Sequence, residues 1–198
     1  MKLTLAFALA SLFYLKTAFG QEKIWTKQSK ISEVVAFEKD IDPTTTFLSK
    51  NVSLPREYYP LANKYRVANP LIVQRKALEY LPIYAEYFYT PGDSILRLVS
   101  YDWEKGRYDN LFDKQKIWKE ENKNFETYNS EYERIKKSLI AQMGTPTSAD
   151  RAAKTIKNET SDYLERNTLW ETEVAHMELN MIFSATTHRI RLTLYWKQ

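Results

Sequence analysis

VAHMELNMIFSATTHRIRLTLYWK, residues 174–197, is the stretch whose reading decides the fold. From Val174 to Phe183 the residues alternate: Ala175, Met177, Leu179, Met181 and Phe183 share one face, and Val174, His176, Glu178, Asn180 and Ile182 the other. After Ser184-Ala185-Thr186-Thr187 the alternation resumes, with Ile190, Leu192, Leu194 and Trp196 set against Arg189, Arg191, Thr193, Tyr195 and Lys197. A period of two over this length predicts two half-buried strands joined by a hairpin. Opposed side chains in an antiparallel pair share a face, which fixes the register. Met181 falls opposite Ile190, Leu179 opposite Leu192, Met177 opposite Leu194 and His176 opposite Tyr195.

Upstream, Ile83–Tyr89 and Ser94–Trp103 are rich in β-favouring residues, and Thr90-Pro91-Gly92-Asp93 separates them as a turn. Parity puts Ile83, Ala85, Tyr87, Leu96 and Leu98 on one face of this second hairpin. Tyr84, Glu86, Phe88, Arg97, Val99, Tyr101 and Trp103 fall on the other. Between the hairpins, Trp118, Phe125, Tyr128, Tyr132, Ile135 and Leu139 form one apolar stripe on a helix from about Asp113 to Met143. Gly144 closes that helix, and Pro146 prevents its continuation. Ser148 caps a second, shorter helix carrying Ala149, Ala152, Ala153 and Ile156, and residues 157–168 read as a polar connector. The expected fold of residues 83–198 is α+β: a two-layer sandwich with a four-stranded antiparallel sheet, in the order hairpin, long helix, hairpin.

The N-terminal part divides in two. Lys2, the apolar run Leu3–Leu15 and Ala18-Phe19-Gly20 read as a signal peptide over residues 1–20, cleaved before Gln21. The apolar run is too short to span a hydrocarbon core of roughly 30 Å. Residues 21–198 are then a single exported domain. Within it, residues 21–82 form an arm punctuated by Pro43, Pro55 and Pro60, which exclude a long helix or a central strand there. Asn69-Pro70 opens a short helix through Leu81, or else Leu71–Val73 starts an edge strand; the helix is preferred. The chain has no cysteine, so no disulfide supports the fold and no lipidated cysteine can anchor it. Of the net charge of +4, Lys2 and Lys16 account for two, leaving +2 after cleavage. That balance gives no reason to expect nucleic acid or stable membrane insertion.

No constellation of residues points to a reaction. Asp102 and Glu104 lie two apart at a strand end and could serve as an acid-base pair, or be no more than a charged terminus. His176 and Glu178 share a face, but His188 falls on the opposite one, so a histidine metal site lacks ligands. No catalytic residue, metal or cofactor is implied. Asn51-Val52-Ser53 and Asn158-Glu159-Thr160 match the glycosylation triplet. The outlier is aromatic content: fourteen tyrosines, nine phenylalanines and five tryptophans. Tyr84, Phe88, Tyr101, Trp103 and Tyr195 are predicted on the outer face of the sheet, where they could stack on a glycan or a protein partner. The preferred alternative roofs that face with the arm, through Tyr58, Tyr59, Leu61 and Tyr65.

Tyr101-Asp102-Trp103-Glu104, the helix end Gly144-Thr145-Pro146-Thr147, Leu169-Trp170-Glu171-Thr172 and the closing Arg189–Trp196 strand resemble small exported bacterial α+β domains of unknown function. The resemblance covers residues 83–198 and implies fold and export without an activity. The expected function is a non-enzymatic exported module, periplasmic or secreted, that binds a protein or joins an assembly. The alternatives are a carbohydrate-binding module using the aromatic face and, last, an acid-base hydrolase using Asp102 and Glu104.

Overall fold

The computed structural model describes residues 22–198 apart from Glu57, Glu79 and Thr160, so the leader expected over residues 1–20 lies outside the described residues. Among the described residues three α-helices and nine strands follow in chain order, with a 3-10 turn at Pro60–Asn63 between the first and second strands. They are α1 (Ile31–Ile41), β1 (Leu48–Ser49), β2 (Leu71–Arg75), β3 (Ile83–Tyr89), β4 (Leu96–Trp103), α2 (Leu111–Glu121), α3 (Phe125–Met143), β5 (Ser148–Ala149), β6 (Lys154–Ile156), β7 (Tyr163–Glu171), β8 (Ala175–Ser184) and β9 (Thr187–Trp196). All described strands join one antiparallel sheet in the order β1-β2-β3-β4-β9-β8-β7-β5, with β6 also on β7. The four-stranded sandwich is thereby corrected: α+β content stands, but the sheet has nine strands. No described helix is long and apolar enough to cross a membrane.

The β8–β9 hairpin has the register its alternation predicts, with Met181 opposite Ile190, Leu179 opposite Leu192, Met177 opposite Leu194 and His176 opposite Tyr195. Its apolar face packs under α3, whose Tyr128, Tyr132, Ile135 and Leu139 are fully buried. Tyr132 reaches through the core to the Thr168 hydroxyl at 2.7 Å. Helix α1 covers the same face at the β2–β4 end. There its buried Glu38 accepts from Arg75 and from the Tyr87 hydroxyl, which lies 3.1 Å from that of Tyr101.

Four expectations fail for identifiable reasons. The long helix breaks at Asn122-Lys123-Asn124, where two asparagines, poor helix formers, spend their side chains elsewhere: the Asn124 amide donates back to the Glu120 carbonyl, and the Asn122 amide oxygen faces His188 at 2.8 Å. Residues 71–75 are a strand pairing with β3 and not a short helix. No helix starts at Ser148, because β5 and β6 bond to the edge of β7 and the Asp150 carboxylate accepts from the Asn167 amide. The polar connector is itself part of a strand. Two inward positions of β7 are Arg166 and Thr168, buried but polar, so alternation is hidden. Arg166 is matched by Asn129, Glu133 and the backbone carbonyls of Asp150 and Arg151.

The first hairpin holds the consequential correction. Phe88 pairs with Leu98 and Tyr89 with Leu96, so Arg97 is an extra residue in β4. A bulge of one residue reverses the parity on either side of it. Leu96 therefore joins the core beneath the helices and Leu98 the opposite face, while Ala85 pairs with Tyr101 and Ile83 with Trp103. Tyr101 and Trp103 thus lie on the helix-covered face, not the outer one. Trp103 is sealed there, its indole donating to the Glu22 carboxylate at 3.2 Å.

Candidate functional site

Among the described residues no α-helix packs across the second face of the sheet, where the arm contributes only the short 3-10 turn Pro60–Asn63, and the side chains of this face fall in rows across the strands. One row runs Tyr84, Asp102, Arg191, Asn180, Asn167, and the next runs Glu86, Ser100, Thr193, Glu178, Leu169. A third holds Phe88, Leu98, Tyr195 and His176. The arm packs directly on this third row: Tyr59, Leu61 and Tyr65 close over Phe88 and Leu98, with Tyr195 at the margin. The roof ends at Tyr58, which is 41% exposed and lies over the Arg191 guanidinium, 5.4 Å from ring centre to carbon.

Beyond the roof lies an ion cluster centred on Asp102, which is fully buried. Arg191 Nε donates to it at 2.6 Å, Arg107 stands at 3.2 Å and Arg189 at 3.9 Å. Burial alone would raise this carboxyl, but the charges of Arg191 and Arg107 outweigh it and hold the pKa below the usual range. The opposite holds at Glu104, pushed up by burial and by the Asp102 charge. Arg107 also grips Glu86, at 2.6 Å, and Tyr108 donates to the same Glu86 oxygen at 2.5 Å. Gly106 aims Arg107 into the cluster. Its φ is +65°, and an added Cβ would stand 2.4 Å from Ile117 Cδ1.

Two hollows adjoin over this cluster. One, of about 240 Å³, lies between the Val52–Pro55 loop, Glu86, Ser100 and the arginines. The other, of about 400 Å³, continues over Glu178, Asn180, His176 and Tyr195. Tyr58, Arg189, Arg191 and Thr193 line both, so together they form one groove floored by β9. Two of its arginines are short of acceptors. Arg189, its side chain only 15% exposed, donates no hydrogen bond to any described residue, and its Nε is buried without a partner. Arg191 spends only Nε on Asp102, leaving its outward edge unpaired among the described residues. A third hollow, of about 300 Å³ beside α1 and β2, differs in that its buried charges are both matched, Glu22 by Arg134 and Arg75 by Glu38.

Known proteins offer no guide. The chain matches no family model, no curated protein and no solved structure.

The sequence-predicted site residues separate. Tyr84 is buried against Tyr108 on the outer face, its phenol pKa raised by burial. Phe88 is buried under the arm, Tyr101 and Trp103 lie beneath the helices, and Tyr195 is half-buried against His176 at 4.8 Å. The five do not form one platform. His176 and Glu178 do stand together, joined by Glu171, and these two carboxylates raise the imidazole pKa. No group of three His, Asp or Glu able to hold a metal occurs among the described residues. What composition-based reasoning missed is the arginine pair. Alternation already places Arg189 and Arg191 on the wet face, but their importance comes from Asp102, which reaches them only through the β4–β9 pairing.

Proposed function

We propose that this chain is an exported, non-enzymatic binding module, and that its ligand occupies the groove on the helix-free face of the sheet. Export rests on the leader pattern of residues 1–20. The observation that carries the binding reading is Arg189: a mostly buried guanidinium beside a cavity, with no hydrogen-bond acceptor among the described residues. A buried charged donor without an acceptor is costly, and a ligand supplying one removes that cost. Hydrolysis by Asp102 and Glu104 has less support, since Asp102 is wholly buried and its oxygens face Arg191 and Arg107.

Protein recovered from the host's exported fraction tests both halves. Its N-terminal sequence should begin at Gln21. Nitrogen-labelled protein titrated with a panel of short glycans, acidic peptides and small anions should show amide shifts at Ser100, Asn180 and Thr193 and none along α3. A mature chain retaining Leu3–Leu15, or a panel whose shifts all map to the helical face, contradicts the proposal.

A further inference from the structure

We infer that the groove takes an acidic sugar, with a uronate carboxylate on Arg189 and Arg191, its hydroxyls on Glu178 and Thr193, and Tyr58 against the ring. The inference rests on the binding-module reading and specifies its ligand. Charge comes first. Arg107, Arg189 and Arg191 stand against Asp102, Glu86 and Glu104, three against three, and Glu165 and Glu178 add two more carboxylates along the groove, so there is no positive surplus to draw a polyanion or a doubly charged phosphate and any acid must be held by local pairing with the guanidinium groups. What it offers is geometry. Two guanidinium groups sit two residues apart on one strand face, roughly 7 Å between Cα atoms, with unspent donors. Planar guanidinium groups suit a single carboxylate, which they bind through paired hydrogen bonds.

Next to that donor pair the chemistry changes. Thr193 and Glu178 are directly opposed across β9 and β8, and the Thr193 hydroxyl has no partner among the described residues. The Glu178 carboxylate is 42% exposed, with His176 at 3.9 Å from one oxygen and the Asn167 amide donating to the other at 3.2 Å, which leaves lone pairs open to the groove. A hydroxyl and a carboxylate side by side match sugar hydroxyls, which both donate and accept. At the rim Tyr58 offers an exposed ring, the usual partner for the apolar face of a pyranose. An acidic peptide fits less well. Peptides recognised along their backbone need free main-chain groups, and here the floor is the face of β4, β9 and β8, whose backbones are consumed by the ladder.

The exported protein is titrated calorimetrically with short oligomers of galacturonate, glucuronate and mannuronate, with their methyl esters, with hexaglutamate and with sodium acetate. At least one uronate should bind. Its methyl ester, which keeps the sugar and removes the charge, and the Arg189→Gln variant should each weaken binding by roughly ten- to a hundredfold. Arg189 makes no hydrogen bond to the rest of the described fold but stands 3.9 Å from Asp102, so the melting temperature of this variant is measured beside its binding; Thr193→Val, which removes no charge, is the fold-neutral probe and should also weaken uronate binding. Equal binding of acid and ester, uronate binding indifferent to both variants, or binding of hexaglutamate or acetate alone overturns the inference while leaving a binding groove. No binding by any of these compounds overturns the inference, and if the wider panel also leaves the groove silent the binding-module reading falls with it.

Discussion

Asp102 shows how neighbours reverse the effect of burial. An isolated carboxylate this deep would take up a proton, yet Arg191 and Arg107 keep it charged. Removing the charge should therefore cost more than the loss of one hydrogen bond. Asp102→Asn leaves two guanidinium groups facing each other across a neutral amide, and breaking a buried pair in this way costs about 3 to 5 kcal/mol. The pH dependence has a definite sign. Because the folded pKa lies below the unfolded one, the stabilisation is complete above the unfolded value, near 3.8, and is lost as the pH falls through the folded value. Glu104 acts in the opposite sense: its raised pKa favours the protonated folded form, and that contribution fades as the pH rises. Denaturant titrations from neutral pH to pH 2 should show wild-type stability falling more steeply in the acid limb than that of Asp102→Asn, which keeps only the acid sensitivity of carboxylates such as Glu121, Glu133 and Asp150. Parallel curves would show that Asp102 is protonated in the native state.

At the scale of elements, single residues decide where a strand turns its side chains. Arg97 is the extra residue that moves Leu96 under the helices and Leu98 beneath the arm. Its guanidinium is held at 2.6 Å from Asp93 and 3.9 Å from the Tyr65 ring centre, so the bulge is tied down on both sides. Deleting Arg97 should force one of these two leucines to the wrong face, at a cost like that of a buried leucine truncation, about 2 to 5 kcal/mol. A deletion costing under about 1 kcal/mol would mean that the strand slips without penalty. In the last hairpin Leu192→Ala should cost a similar amount by equilibrium unfolding, since Leu192 lies in the core beneath α3. That hairpin was legible in the sequence because every inward position from Ala175 to Phe183 is apolar. Strand β7 was not, because Arg166 and Thr168 point inward and find partners on α3 that alternation cannot reveal. The site was legible in half: Arg191 reads as an outer-face residue, but its partner Asp102 is 89 residues away and meets it only when β4 and β9 pair.

At the scale of the molecule, the sheet is used asymmetrically. The helices and the chain from Glu22 onward close one face, with Glu22 buried against Arg134 and Gln142 bonded to its carbonyl. The other face is roofed at Phe88 and Leu98 and left as a polar groove elsewhere. The chain has no cysteine, so thiols can be introduced one at a time without background. Glu178 and Leu179 are neighbours on β8 that point to opposite faces, and Leu179 is fully buried. Maleimide labelling of Glu178→Cys and Leu179→Cys in native protein is the most direct measurement of this division. Glu178→Cys should react at close to the rate of a free thiol, and Leu179→Cys only as fast as the protein unfolds. Comparable rates at the two positions, or protection of Glu178→Cys in the unliganded monomer, would contradict the open groove on which the functional reading depends.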